Sequence, residues 1–184
     1  MLTTNIKAPE FKFKNQKEKE HNFPKDFAGK WCVLFFLRHL GCPLCQEKIS
    51  ELKKSYQKYL DENAEVFVVV EATEKRVKTF AQKKEINFQL IPDKEKKFYR
   101  AYQVGAGGIK EFLAPIVFKA TLRATLKGHF HGRFEGSEFQ KPACFIIDPK
   151  GNLVYAKYGK NIADVIGEKE LFDKLEELKE KKNE

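Results

Sequence analysis

Apolar positions fall into two rhythms along this chain. Trp31-Cys32-Val33-Leu34-Phe35-Phe36-Leu37 is a continuous apolar run, and Val66 to Val70 and Ala143-Cys144-Phe145-Ile146-Ile147 repeat it in shorter form. Runs with no polar position to mark a solvent face predict strands buried on both sides. Asn87 to Ile91 predicts a shorter strand, closed by Pro92-Asp93. Leu153 to Tyr158 predicts a returning strand after Asp148-Pro149-Lys150-Gly151-Asn152, which places Pro and Gly where a turn wants them. Between these runs the apolar spacing changes to three and four, the period of a helix. Gln46 to Leu60 puts Ile49, Leu52, Tyr56 and Tyr59 or Leu60 on one face. Glu74 to Lys84 does the same with Val77, Phe80 and Ala81, and Glu168 to Lys181 with Leu171, Phe172, Leu175 and Leu178. Glu95 to Tyr102 is a further short helix. The order is β-α-β-α-β, an insert, then β-β-α, which makes the chain α/β.

Two stretches stand outside that rhythm. Residues 1–30 are polar and interrupted, and the loose alternation of Ile6, Pro9, Phe11 and Phe13 predicts a short edge strand near Glu10 to Lys14. The insert, about 105–140, opens on Gly105-Ala106-Gly107-Gly108, a flexible loop whose spacing fits neither a P-loop nor a dinucleotide fingerprint. Pro115 to Lys127 then predicts a helix, with Ile116, Ala120, Leu122 and Leu126 apolar, Lys119, Arg123 and Lys127 basic, and Gly128 at its end. Packing over the core is expected for this helix ahead of binding to a membrane surface. The glycine-rich segment Gly128 to Gly136 carries His129 and His131, an HxH pair in a loop.

Composition narrows the class. A chain of 184 residues, 42% hydrophobic with 17 Phe, is long enough to bury its own core, and one domain over residues 1–184 is expected. The net charge is +9, but lysine is interspersed with glutamate along the whole length, so solvated faces are expected and a nucleic-acid partner is not. The first residues lack a signal peptide's apolar core and no run is long enough to span a bilayer, which predicts a cytoplasmic protein without stable membrane association. The four cysteines do not resemble a secreted disulfide framework; Cys32 and Cys144 lie inside apolar runs and read as packed thiols.

The remaining two cysteines carry the chemistry. Cys42-Pro43-Leu44-Cys45 comes after the first core strand and opens a helix. Residues three apart share a helix face, so the two sulfurs can meet. Pro43 suits the first helical position, where no N–H is needed, which makes Cys42 the N-cap. Its sulfur then faces the free N–H groups and the positive end of the helix dipole, and both favour a thiolate. A CxxC beside a βαβ-like pattern is a redox signal. Half of a zinc site is the rival, but no second CxxC or HxxxH pair is present; such a scaffold would have to draw on Cys42, Cys45, His129 and His131.

Longer stretches resemble a known family. Ala8-Pro9-Glu10-Phe11, Gly29 to Phe36, Phe88-Gln89-Leu90-Ile91-Pro92-Asp93 with Tyr102 beyond it, and Phe145 to Gly151 are similar to the AhpC/TSA peroxiredoxins. Arg38-His39-Leu40-Gly41-Cys42-Pro43-Leu44-Cys45 resembles the peroxiredoxin-like branch that carries a CxxC. The resemblance implies a thioredoxin-like fold in its peroxiredoxin variant, a central mixed β-sheet flanked by helices, here with a helical insert. The chain departs from the family's PxxxTxxC motif. In that register Arg38 stands at the Pro position, Cys42 at the Thr position and Cys45 at the peroxide-reactive Cys. The family's peroxide-binding Arg, just before the Phe145 strand, falls on Pro142. Pro142 in turn resembles the cis-proline that thioredoxins set beside their CxxC. A thioredoxin register makes Cys42 the attacking thiol and Cys45 the resolving one; the peroxiredoxin register makes Cys45 the attacker. The N-cap argument favours Cys42, as the more exposed sulfur and the one nearer the free N–H groups. Arg38 can replace the missing positive charge or form a strand-end salt bridge, and His39 can assist proton transfer or sit satisfied by backbone.

The residues and the resemblance together imply a thiol oxidoreductase. Cys42 is expected to attack a peroxide or a disulfide, the Cys42–Cys45 disulfide to form, and a thioredoxin-type or glutathione reductant to reset it, with no metal or organic cofactor required. A disulfide reductase without peroxidase activity, and a non-enzymatic redox sensor or binding protein whose 105–140 insert engages a partner, are the alternatives.

Overall fold

The computed structural model describes residues 1–109, 115–132 and 135–183. The strands are β1 (Ile6–Lys7), β2 (Phe11–Lys14), β3 (Glu20–Phe23), β4 (Trp31–Phe36), β5 (Ala64–Val70), β6 (Gln89–Pro92), β7 (Ala143–Ile147) and β8 (Asn152–Tyr158). The helices are α1 (Pro43–Asp61), α2 (Glu74–Lys84), α3 (Lys97–Ala101), α4 (Pro115–Leu126) and α5 (Glu168–Asn183). Six strands form one sheet in the order β1-β8-β7-β4-β5-β6. β4, β5 and β6 run parallel, joined through α1 and α2; β7 returns antiparallel to β4, and β8 to β7. This mixed sheet flanked by helices is the expected architecture.

The continuous apolar runs are explained by what covers each face. β4 and β5 alternate their side chains between two cores. Val33, Phe35, Val66 and Val68 pack with α1, α2, α4 and α5 through Ile49, Leu52, Phe80, Ala124 and Leu171. Leu34, Phe36, Phe67 and Val69 face the opposite core, with Phe11, Phe13, Phe23, Tyr99 and Tyr102. No face of the two central strands meets water, so no polar alternation survives in them.

The second core corrects one expectation. The strand foreseen near Glu10 to Lys14 is β2, but it is not an edge of the main sheet: it pairs with β3 in a separate two-stranded hairpin laid over the β4–β5 face. Phe13, Phe23 and Phe27 all stand against Phe67, with ring centroids 6.3, 4.9 and 4.7 Å away. Phe11, Phe13, Phe23 and Phe27 pack on this face, which accounts for part of the high Phe content. The edge strand paired to β8 is instead the short β1.

The insert is tied down in two places. Ala106 bridges Gln140, and the N–H of Gly107 donates to the carbonyl of Phe139 at 2.7 Å, so the Gly105–Gly108 loop is pinned across the mouth of the insert. α4 lies on α1, where Arg123 and Lys127 both reach Glu47, at 2.9 and 2.7 Å. Its buried residues are Val117, Ala120 and Ala124, whereas Ile116, Leu122 and Leu126 are exposed.

Tyr99 of α3 fixes the ends of the two central strands. Its buried hydroxyl sits among the carbonyls of Leu37, Arg38 (3.3 Å) and Val69 (3.2 Å), donating to that of Leu37. Removing the donor strands a buried acceptor next to the CxxC turn. Tyr99→Phe is expected to lower unfolding stability by about 1–3 kcal/mol. A lower urea midpoint at unchanged slope is the check.

Candidate active site

β4 ends at Phe36, and the chain turns through Leu37-Arg38-His39-Leu40-Gly41 into α1. As the sequence predicts, Cys42 is the N-cap and Pro43 the first helical residue. Cys42 is extended, with φ −78° and ψ 126°, and its sulfur accepts the N–H of Cys45 at 3.3 Å. Its carbonyl accepts the N–H of Gln46 at 3.0 Å, the first bond of the helix. The Cys45 thiol beside it favours the anion on Cys42. The Cys45 sulfur accepts the backbone N–H of Arg38 at 3.3 Å.

Arg38 supplies the charge. Its Nη2 donates to the Cys42 sulfur at 2.7 Å. Burial alone raises the Cys42 pKa, but the Cys45 thiol, the Arg38 charge and the two N–H donors outweigh it and bring the thiol down to about 6. Cys45 is pushed the other way, well above an ordinary thiol, by burial and by the thiolate beside it. The two sulfurs titrate as a pair, and the anion belongs on Cys42, which holds the guanidinium.

Exposure does not distinguish the two as the N-cap argument expects. Cys42 is 0% exposed and Cys45 4%. The cover is a strap formed by residues 129–132 and 135–140 of the insert. The N–H of Gly132 donates to the carbonyl of Gly41 at 2.8 Å, and a Cβ on Gly132 would stand 3.2 Å from Gly41 Cα. A Cβ on Gly136 would meet Glu71 and His39 at 3.0 Å. Glycine at both positions lets the strap lie directly on the turn.

The strap also brings Glu138. Arg38 Nη1 donates to the Glu138 carbonyl at 2.6 Å and to Glu138 Oε2 at 3.2 Å. His39 Nε2 lies 2.8 Å from Glu138 Oε1, close but not aligned as a hydrogen bond, and His131 Nε2 lies 3.3 Å from the same oxygen. His39 is buried, and burial lowers its pKa, which keeps the ring neutral near pH 7. It gives Cys42 a backbone carbonyl, accepting the Cys42 N–H at 3.2 Å, and its ring points to Glu138 instead of a sulfur.

The remaining candidates have other neighbours. Pro142 is buried, and its carbonyl accepts the N–H of Gly159 at 2.8 Å. Among the described residues the cis peptide bond is Phe23–Pro24, and Lys141–Pro142 is trans, unlike the thioredoxin cis-proline that Pro142 is expected to resemble. Pro142 packs against Gly159, where a Cβ would come within 2.9 Å of it. Cys32 and Cys144 are buried packing thiols, each raised to about 12 by burial. Among the described residues no three His, Cys, Asp or Glu side chains gather to hold a metal, and His131 is turned to Glu138. Sequence reasoning passes over Glu138 altogether. It contacts Arg38 from one hundred residues along the chain, and the only local hint of its strap is the glycine spacing.

Comparison with known proteins points to one family. The model of the AhpC/TSA family matches residues 4–156. The chain is 20% identical over 152 residues to a bovine protein named Peroxiredoxin-like 2C, a match that covers 77% of this chain and 66% of the relative. The human protein of the same name is 23% identical over 149 residues, covering 75% and 65%. The chain thus spans just under two thirds of the length of these relatives. Among solved structures, a yeast mitochondrial 1-Cys peroxiredoxin, described as resolved via glutathione/thioredoxin systems, superposes with a TM-score of 0.75 at 17% identity, covering 100% of this chain and 79% of that one.

Replacing Arg38 tests the charge balance. An opposite charge at contact lowers an acid's pKa by roughly one to three pH units. Arg38→Ala is therefore expected to move the Cys42 titration, read as thiolate absorbance, upward by about that much, with Arg38→Lys intermediate.

Proposed function

The chain belongs to the AhpC/TSA family, and on that premise we propose that it is a thiol peroxidase whose attacking residue is Cys42. The observation that carries this reading is the Arg38 Nη2 contact at 2.7 Å on a sulfur that is 0% exposed. A thiolate held there is both stabilised and screened from large partners. A hydroperoxide is small enough to reach it with a slight opening of the strap, whereas a protein disulfide needs the strap removed. That burial favours the O–O bond over the S–S bond as the target.

The Cys42 thiolate attacks the outer oxygen of ROOH. An S–O bond forms as the O–O bond breaks, two electrons pass from sulfur to peroxide, and RO⁻ leaves as the alcohol after taking a proton. Arg38 faces the sulfur and stabilises negative charge as it moves from sulfur to leaving oxygen. Cys42 is left as a sulfenic acid. The neighbouring Cys45 thiol attacks it, its proton passes to the departing hydroxyl, and water leaves as the Cys42–Cys45 disulfide forms. Cys45's high pKa delays its ionisation until the neighbouring thiolate is gone, after which the charge that opposed it is absent. Glutathione, or a dithiol of thioredoxin type once the strap has opened, then reduces the disulfide by exchange.

The reading treats residues 1–184 as one thioredoxin-like domain with the strap as its insert, working in the cytoplasm, where the pair is kept reduced. Among the described residues no helix is long and apolar enough to cross a membrane.

Steady-state assays of cysteine variants test the order of events. Cys42→Ser is expected to abolish peroxide reduction, and Cys45→Ser to allow one turnover and accumulate the sulfenic acid. Full activity in both variants sinks the mechanism. The lowered thiol pKa sets the pH dependence: the thiolate is lost as pH falls through about 6, so the rate constant for hydrogen peroxide should rise through pH 6 and level off by pH 8. Stopped-flow oxidation across that range checks it.

A further inference from the structure

We propose that Glu138 is a positioning residue, the group that aims the Arg38 guanidinium at the Cys42 sulfur. This rests on the reading of Cys42 as the reactive thiolate. An arginine side chain has four rotatable bonds and five donors, and a buried one adopts a single pose only where acceptors fix it. The Arg38 side chain is 5% exposed. Its Nη2 is spent on Cys42, at 2.7 Å. Its Nη1 is held from the other side by Glu138 alone among the described residues, through the main-chain carbonyl at 2.6 Å and Oε2 at 3.2 Å. Its Nε is buried without a hydrogen bond. The pose that delivers charge to the sulfur is therefore defined by two partners, and only Glu138 remains in place when the sulfur changes its chemistry.

His39 and His131 stand beside Oε1, at 2.8 and 3.3 Å, from the turn and from the strap, and Oε2 is the oxygen that meets Arg38. Among the described residues Arg38, His39 and His131 are the charged or titratable groups that face this carboxylate, and Arg38 and Cys45 are those that face Cys42.

Two effects of the carboxylate on Cys42 have opposite signs, which makes the proposal decidable. As a bare negative charge, Glu138 disfavours a thiolate nearby, so removing it would lower the Cys42 pKa. As a positioning group it keeps Arg38 on the sulfur, so removing it would raise that pKa. Geometry favours the second: the carboxylate touches the guanidinium, and the guanidinium stands between it and the sulfur.

The experiment is alkylation of Cys42 by iodoacetamide across pH 4–9, resolved by mass spectrometry, in the full chain. The readout is the midpoint in pH, because a loosened strap admits water to the sulfur and lowers the midpoint, opposite in sign to the rise predicted for a misplaced guanidinium. Glu138→Ala is expected to raise the midpoint so that the rate at pH 5 falls roughly three- to tenfold, a full pH unit being tenfold. Glu138→Gln keeps an oxygen to accept from Nη1, and its midpoint should not exceed that of the unsubstituted protein; it also serves as the folding control. A midpoint unchanged or lowered in Glu138→Ala overturns the proposal, as does one raised equally in both variants. Arg38→Ala separates the two readings. If it raises the midpoint while Glu138→Ala does not, only the role of Glu138 falls. If it leaves the midpoint in place, the account of the thiolate falls with it.

Discussion

A sulfur with no exposure to water does not hold a negative charge unless the protein replaces what water would have given it. At the N-cap of α1 the replacement comes from a few nearby donors: the Cys45 N–H and thiol, and the Arg38 guanidinium at 2.7 Å. Of these only the guanidinium carries a full charge. Two unit charges about 4 Å apart attract by roughly 4 kcal/mol at an effective dielectric of 20, more than the neutral donors contribute singly. Removing one partner of a buried pair costs several kcal/mol because the other is left uncompensated. The rest of the site is arranged around that pair.

The fold explains how the pair is held. Arg38 lies just past β4, whose end is locked by β5 and by the Tyr99 hydroxyl beneath the Leu37 and Arg38 carbonyls. The Arg38 carbonyl also accepts the N–H of Glu71 at 2.8 Å. Its backbone is thus fixed, and its own N–H is used on the Cys45 sulfur. One residue therefore sets both sulfurs: the main chain donates to Cys45 and the side chain to Cys42. The strap then closes over the turn, and it is thin because Gly132 and Gly136 leave no Cβ in the way. Glu71, which accepts from Ser137 and Lys96, ties the strap to the end of β5.

Local signals carried most of what was legible in the sequence. The core strands read as strands because both faces are buried, and Cys42-Pro43 read as a helix start because the cap and Pro43 act within one turn. Arg38 was visible as a charge beside the CxxC, although its choice between sulfur and salt bridge was open; it makes both contacts. What failed is non-local. The cap position marked Cys42 as exposed, but exposure depends on a segment some ninety residues later that folds back over it. Phe11 and Phe13 alternate as an edge strand would, yet their partners are Phe23 and His21 of β3, and the choice between a sheet edge and a separate hairpin depends on packing against Phe67. Glu138 has no local signature, because a carboxylate's meaning lies in the guanidinium it meets.

The most direct test of the claim that the guanidinium selects Cys42 is peptide mass spectrometry of the reduced protein after one equivalent of hydrogen peroxide, with dimedone present to trap sulfenic acid. The account predicts the adduct on Cys42, in competition with a Cys42–Cys45 disulfide. An adduct confined to Cys45 would contradict it.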